Sequence, residues 1–155
     1  MHKKNIFLIL FSIIIFASYI LGFFINENSI GSGGYNGDLN WIWKNFDIFK
    51  NQNLFSAIKS EDFFGNRSPL FYILNLYLNP FLFNIDSYRF SIFVFSILGP
   101  LIFFLCIKKK YTNLKTEIII LLSSIILLSP FYRTSSYWGL EIQYGIISAL
   151  LSFYF

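Results

Sequence analysis

The stretch from Tyr88 to Lys110, YRFSIFVFSILGPLIFFLCIKKK, decides the fold. Its apolar part, Tyr88 to Ile107, is about 20 residues long, enough to cross a hydrocarbon core of ~30 Å as a helix. It closes on Lys108-Lys109-Lys110, the strongest cytoplasmic marker in the chain under the positive-inside rule. Working back towards the N-terminus, Ile6 to Ile25 is a second uninterrupted apolar run, and Lys3 and Lys4 precede it. It is too long for a signal-peptide core and lacks a small-residue cleavage site, so it reads as a retained span starting in the cytoplasm.

Two spans that begin and end on basic residues leave residues 26–87 outside. Within them, Pro69 to Phe83 is apolar but short, and Pro80 interrupts it. Were it to cross, the triple lysine would face out, so it is expected to be an interfacial helix. Leu39, Ile42, Trp43, Phe46 and Phe49 recur at spacings of three and four, with Asn40, Lys44, Asp47 and Asn51 opposite. That pattern predicts an amphipathic helix over 38–51, lying on the membrane with Trp41 and Trp43 at the interface.

Beyond the lysines, a third span is expected over about 117–130, then a short outer loop from Phe131 to Leu140. A fourth apolar run, 142–155, is still apolar at the last residue, so the chain reads as the N-terminal piece of a larger membrane protein. The expected topology has the N-terminus cytoplasmic, 26–87 outside, 108–115 inside and 131–140 outside, in an all-α multi-pass protein of the inner (plasma) membrane.

Composition agrees and excludes other classes. Of 155 residues, 55% are hydrophobic and 13% charged, about half the charged share of a soluble domain, and the mean hydropathy is +0.59. The net charge of +4 reports topology first, and no basic patch interleaved with aromatics points to nucleic acid. The single cysteine, Cys106, excludes a disulfide within the chain. The single histidine, His2, removes triad chemistry and zinc-protease helices. Catalysis would fall to carboxylates, Tyr, Lys, Arg or an external metal.

Two acidic residues stand out. Asp38 follows Gly37 at the head of the amphipathic pattern, and Glu141 opens the fourth apolar run. Asp38 suits either a helix N-cap or a general base that takes a proton from an acceptor hydroxyl or amine. Glu141 suits either a favourable charge in a first helical turn or a site at the membrane edge. It shares a polar stripe with Tyr137, Tyr144 and Ser148. Arg67, Arg133 and Arg89 offer phosphate-matching forks or snorkel towards headgroups.

The order of these parts resembles the GT-C superfamily of polyprenyl-phosphate-sugar transferases. The nearest group is the family 39-like enzymes related to protein O-mannosyltransferases and lipid A aminoarabinose transferases. Gly37-Asp38 resembles the acidic motif of the first outer loop, and Arg67-Ser68-Pro69-Leu70-Phe71-Tyr72 is similar to the family's Pro-Pro-Leu-Tyr-Tyr stretch. Tyr88-Arg89 resembles the Leu-Arg before the second span. Leu128-Ser129-Pro130-Phe131-Tyr132-Arg133 is similar to the segment before the second outer loop, near whose acidic position Glu141 falls. The resemblance implies inverting transfer of a sugar from a polyprenyl-phosphate donor to a lipid or protein acceptor at the outer membrane face of the cell envelope. Asp38 would be the base. Glu141 would orient acceptor or donor phosphate, and Arg67, Tyr132 and Arg133 would offset phosphate charge. Mg or Mn is left open. The alternative from another class is a non-enzymatic membrane protein, a transporter subunit or assembly scaffold.

Overall fold

A computed structural model describes residues 2–28, 35–63 and 68–155. Among them the chain is all-helical. Helix α1 (His2–Phe24) is followed by a π-helical turn (Tyr35–Leu39) that runs into α2 (Asn40–Asn51). Then come α3 (Leu54–Lys59), α4 (Pro69–Leu78), α5 (Ile85–Ser96) and α6 (Leu98–Lys110). Helix α7 (Thr116–Ser124) tightens into a 3-10 turn (Ile125–Leu128), followed by α8 (Pro130–Tyr137) and α9 (Ile142–Tyr154).

Two helical stretches are long and apolar enough to cross a membrane, Asn5–Phe24 and Ile85–Lys110. The pair Thr116–Leu128 and Pro130–Tyr137, bent by 68°, makes a third if it counts as one span. Only 22% of the first apolar window is buried, and Phe7, Leu10, Ile14 and Leu21 are all more than half exposed. So much uncovered apolar surface on one helix is what a lipid-facing wall requires.

Side-chain contacts give the helices their directions. Near their starts, α1 and α7 are joined by Asn5 Nδ2, which donates to Glu117 Oε1 (3.1 Å). Past the far end of α7, Arg133 of α8 donates through Nη1 to the Leu127 carbonyl (3.2 Å) and through Nη2 to the Ser18 carbonyl of α1 (3.0 Å). They are parallel. Phe95 stacks on Tyr144 (centroids 4.7 Å) and Cys106 Sγ reaches the Leu150 carbonyl (3.4 Å), so the α5–α6 rod runs parallel to α9. Tyr19 bonds Ser96, and Phe23 stacks on Phe93 at 4.2 Å and meets Phe90 at 6.2 Å, so α1 and α5 are antiparallel. One end of the bundle therefore carries the starts of α1 and α7 with Lys108–Lys110. The opposite end carries residues 35–63 and 68–84 and the segment from Ser129 to Glu141.

At this second end α2 covers its apolar face with protein. Leu39, Ile42, Phe46 and Phe49 are buried. Phe46 meets Phe71, Tyr72 and Tyr88, and Phe49 meets Phe63 and Tyr72. The sequence pattern placed that face on lipid; aromatic side chains of α4 and α5 take it instead. Trp41, on the opposite side, is 40% exposed. Helix α4 stops at Leu78, ahead of Pro80, which cannot continue a hydrogen-bonded turn. It stays at this end, tied to α2 by Asn45 Nδ2 donating to the Tyr72 hydroxyl (2.9 Å) and to α9 by the Tyr144 hydroxyl donating to Asn75 Oδ1 (3.2 Å).

The segment expected to be a loop over 131–140 is instead largely helix α8, with its polar side chains inside. Ser129 caps it through the Tyr132 amide (3.3 Å), and Pro130 occupies the first turn. Ser135 and Ser136 return their hydroxyls to carbonyls three or four residues back, at 2.8 Å each. Their donors are thus satisfied without water, which lets a polar run bury. The sequence pattern marks polarity but not this internal pairing.

Candidate functional site

The second end of the bundle is organised around Tyr88. Its ring meets Trp43 (6.1 Å) and Phe46 (5.2 Å) of α2, and its hydroxyl donates to the Gly139 carbonyl. Gly139 has φ +67, the left-handed region that favours glycine. A Cβ there would stand 2.6 Å from Tyr88 Cε1. Asp38 lies in the turn that leads into α2, and Glu141 lies two residues after Gly139. Tyr88 is the link between the element bearing one carboxylate and the element bearing the other. Both acids are half-buried.

Asp38 does not cap α2. Leu39 holds the N-cap position with helical φ and ψ and no side-chain cap bond. The π-helical turn carries helical geometry back past Asp38, so the capping role open in the sequence is not the one it takes. Glu141 precedes α9 in helical geometry, also without a side-chain cap bond. In the stripe expected beside it, Tyr144 bonds Asn75 and Ser148 is exposed. Tyr137 belongs to α8, where its hydroxyl donates to the Tyr19 carbonyl (2.6 Å).

The expected phosphate-binding residues are placed differently. Arg67 lies outside the described residues. Tyr132 is turned into the bundle, its hydroxyl donating to the Ser96 carbonyl. That carbonyl would normally accept from the amide four residues on, which here is Pro100 and has no N–H. Gly99 supplies the room, since a Cβ on it would overlap the Tyr132 hydroxyl. Arg133 is 8% exposed. Its Nε donates to Glu27 Oε1 (2.6 Å), its Nη2 donates to Glu27 Oε2, and its Nη1 donates to the Leu127 carbonyl (3.2 Å). With the bond to Ser18, four of its five donors are committed within the protein. Either residue could reach a phosphate only by opening these contacts.

Arg89, noted in the sequence as an outer-side cation, is the centre of a second cluster. Its guanidinium lies 4.0 Å from the Trp138 ring centroid, its Nε donates to the Tyr137 carbonyl (3.0 Å), and its Nη2 donates to Asn26 Oδ1 (3.0 Å). Asp86 stands 3.7 Å away. Arg89, Asp86, Trp138, Asn26 and Asn28 line a cavity of about 430 Å³. Glu27 and Trp138 were not singled out by the sequence. A pairing across 106 residues leaves no local signal. Among the described residues no three of His, Cys, Asp and Glu gather as metal ligands.

Gly139→Ala should disrupt this end selectively. Left-handed backbone on a residue with a Cβ costs about 1–2 kcal/mol, and overpacking adds about 1–3 kcal/mol. Gly145→Ala is the control, because nothing lies within 4 Å of its Cβ position. Thermal melts in detergent should show a lower midpoint for Gly139→Ala alone. Equal midpoints would mean that the Tyr88–Gly139 contact does not order this region.

Comparison of the chain with protein-family models, curated proteins and solved structures returns no match.

Proposed function

We propose that this chain forms part of a multi-pass membrane glycosyltransferase of the GT-C kind. It would move a sugar from a polyprenyl-phosphate donor to a lipid or protein acceptor at the outer membrane face. The observation that carries the reading is the link through Tyr88. A helix outside the expected spans, bearing Asp38 at its head, is held against the turn that bears Glu141. A general base and a second carboxylate on two elements fixed to one tyrosine suit a reaction that needs both acceptor and donor positioned. Asp38 is the proposed base and Glu141 the group that orients acceptor or donor phosphate. The roles of Tyr132 and Arg133 are to hold α8, and with it Glu141, against α1 and α5.

Two measurements test this. Membranes from cells that make the complete protein are supplied with labelled polyprenyl-phosphate sugars, and chain-dependent transfer of label to lipid or protein is expected. No transfer from any donor, with the protein present in the membrane, would end the reading. Topology is checked with single cysteines in a Cys106→Ala background. Ser56 and Thr112 are exposed and serve as probes; Ser135, at 1%, does not. Ser56→Cys should react with an impermeant maleimide from outside, and Thr112→Cys only after the membrane is opened. Labelling of Thr112→Cys from outside would place the two acidic residues on the wrong face for a donor presented outside.

A further inference from the structure

We propose that the cleft beside the triple lysine, at the end of the bundle away from Asp38, binds one anionic phospholipid. This rests on the membrane reading above but not on glycosyl transfer. The cleft measures about 890 Å³ and lies between α6, α7 and α9. Its deeper walls are apolar, with Phe103, Leu122 and Ile125 among them, and Ile107 and Phe153 continue the apolar lining towards the mouth. Its mouth is formed by Lys109, Lys110 and Tyr111. From Phe103 to Lys110 is seven residues of helix, about 10 Å of rise. That is roughly two thirds of one leaflet's share of a ~30 Å hydrocarbon core. The cleft is therefore deep enough for the upper part of an acyl chain while a headgroup stays at the lysines.

Charge selects the occupant. Lys108, Lys109, Lys110 and Lys115 crowd this end, and from Ser87 to Leu140 the sequence holds one acidic residue, Glu117. Glu117 faces Asn5 on α1. Lys109 spends one of its three N–H donors on the Tyr154 carbonyl and sits 4.8 Å from that ring's centroid, which fixes its ammonium at the mouth. Two donors remain for phosphate oxygens. Lys110 lies over the Tyr111 ring at 5.8 Å. An apolar slot under two positioned ammonium groups fits a diacyl lipid with a phosphate headgroup. Lys108 and Lys115 do not line the slot, so the site makes a prediction that surface charge alone does not.

The test uses the whole chain purified in neutral detergent, with phosphatidylglycerol or phosphatidylcholine added in equal amounts and bound lipid counted by native mass spectrometry. Each lysine near a membrane surface strengthens attraction for an anionic lipid roughly fivefold, so the pair gives phosphatidylglycerol an advantage of about 25-fold. Lys109→Gln/Lys110→Gln should bring the two lipids to near parity. Lys108→Gln/Lys115→Gln, with the same change in net charge, should keep most of the preference. Leu122→Trp, which fills the slot, should lower retention of both lipids, with helical circular dichroism unchanged. Added inorganic phosphate should not displace phosphatidylglycerol. Equal retention of both lipids by the unaltered chain, equal losses in the two double variants, or displacement by phosphate would each overturn the proposal. A chain that fails to fractionate with membranes would instead remove the membrane reading on which it rests.

Discussion

Asp38→Asn should cut glycosyl transfer by the complete protein about 10²–10⁴-fold, the usual effect of losing a general base, while the chain still reaches the membrane in normal amounts. Asn matches Asp in size and differs little from it in helix propensity. Asp38 is not the N-cap of α2, so the substitution removes no cap bond. The packing that fixes α2 comes from Leu39, Ile42, Phe46 and Phe49, which the change leaves alone. Asp47→Asn is the matched control: an exposed carboxylate on the same helix, outside the packed face. Transfer should be unchanged in it. Activity of Asp38→Asn close to that of the unaltered protein would remove Asp38 as the base. An equal fall in both variants would mean that the charge of α2, not a particular carboxylate, matters.

The parts of this fold legible in sequence were those governed by local periodicity and by charge at the ends of apolar runs. Residues 88–110 announce a long helical stretch, and the 3.6-residue pattern from Leu39 to Phe49 announces α2, because each pattern is contained within one unbroken segment of chain. Pro80 marks the end of α4 for the same reason. What covers each face was not legible. The apolar side of α2 is the same pattern whether it meets lipid or Phe71, Tyr72 and Tyr88. The polar run from Arg133 to Ser136 has the composition of a loop, yet it buries because its hydroxyls return to their own helix. The site divides likewise. Asp38 and Glu141 attract notice as acids beside apolar runs. Tyr88, whose contacts join their elements, stands in the sequence only as the residue before Arg89 at the head of an apolar run, with no sign of what it touches. Nothing in the sequence marks Gly99 and Pro100 as the socket they make for Tyr132.

Glu27→Gln should destabilise the protein more than any other single change at the α1–α8 contact. Arg133 is pulled inside by Glu27, which accepts from both its Nε and its Nη2. The side chains differ in exposure, 10% for Arg133 and 35% for Glu27. Removing the carboxylate therefore strands the more deeply buried charge. Breaking a buried pair in this way typically costs about 3–5 kcal/mol, and the partial exposure of Glu27 places the expected value near 3 kcal/mol. At roughly 2–4 °C per kcal/mol for a chain of this size, the thermal midpoint should fall by about 6–12 °C. Gly22 enforces the geometry from below, since a Cβ there would stand 2.5 Å from Arg133 Nη2 and 2.6 Å from Glu27 Oε2. The decisive measurement is a double-mutant cycle. Glu27→Gln/Arg133→Met removes both charges, and replacing a buried pair by apolar and neutral groups is often close to neutral. The double variant should melt above Glu27→Gln alone, even though it carries one more substitution. Additive losses would mean that Arg133 is stabilised by the Leu127 and Ser18 carbonyls without Glu27. It would then have its Nε and one Nη2 donor free for a phosphate, the role its position in the sequence first suggested.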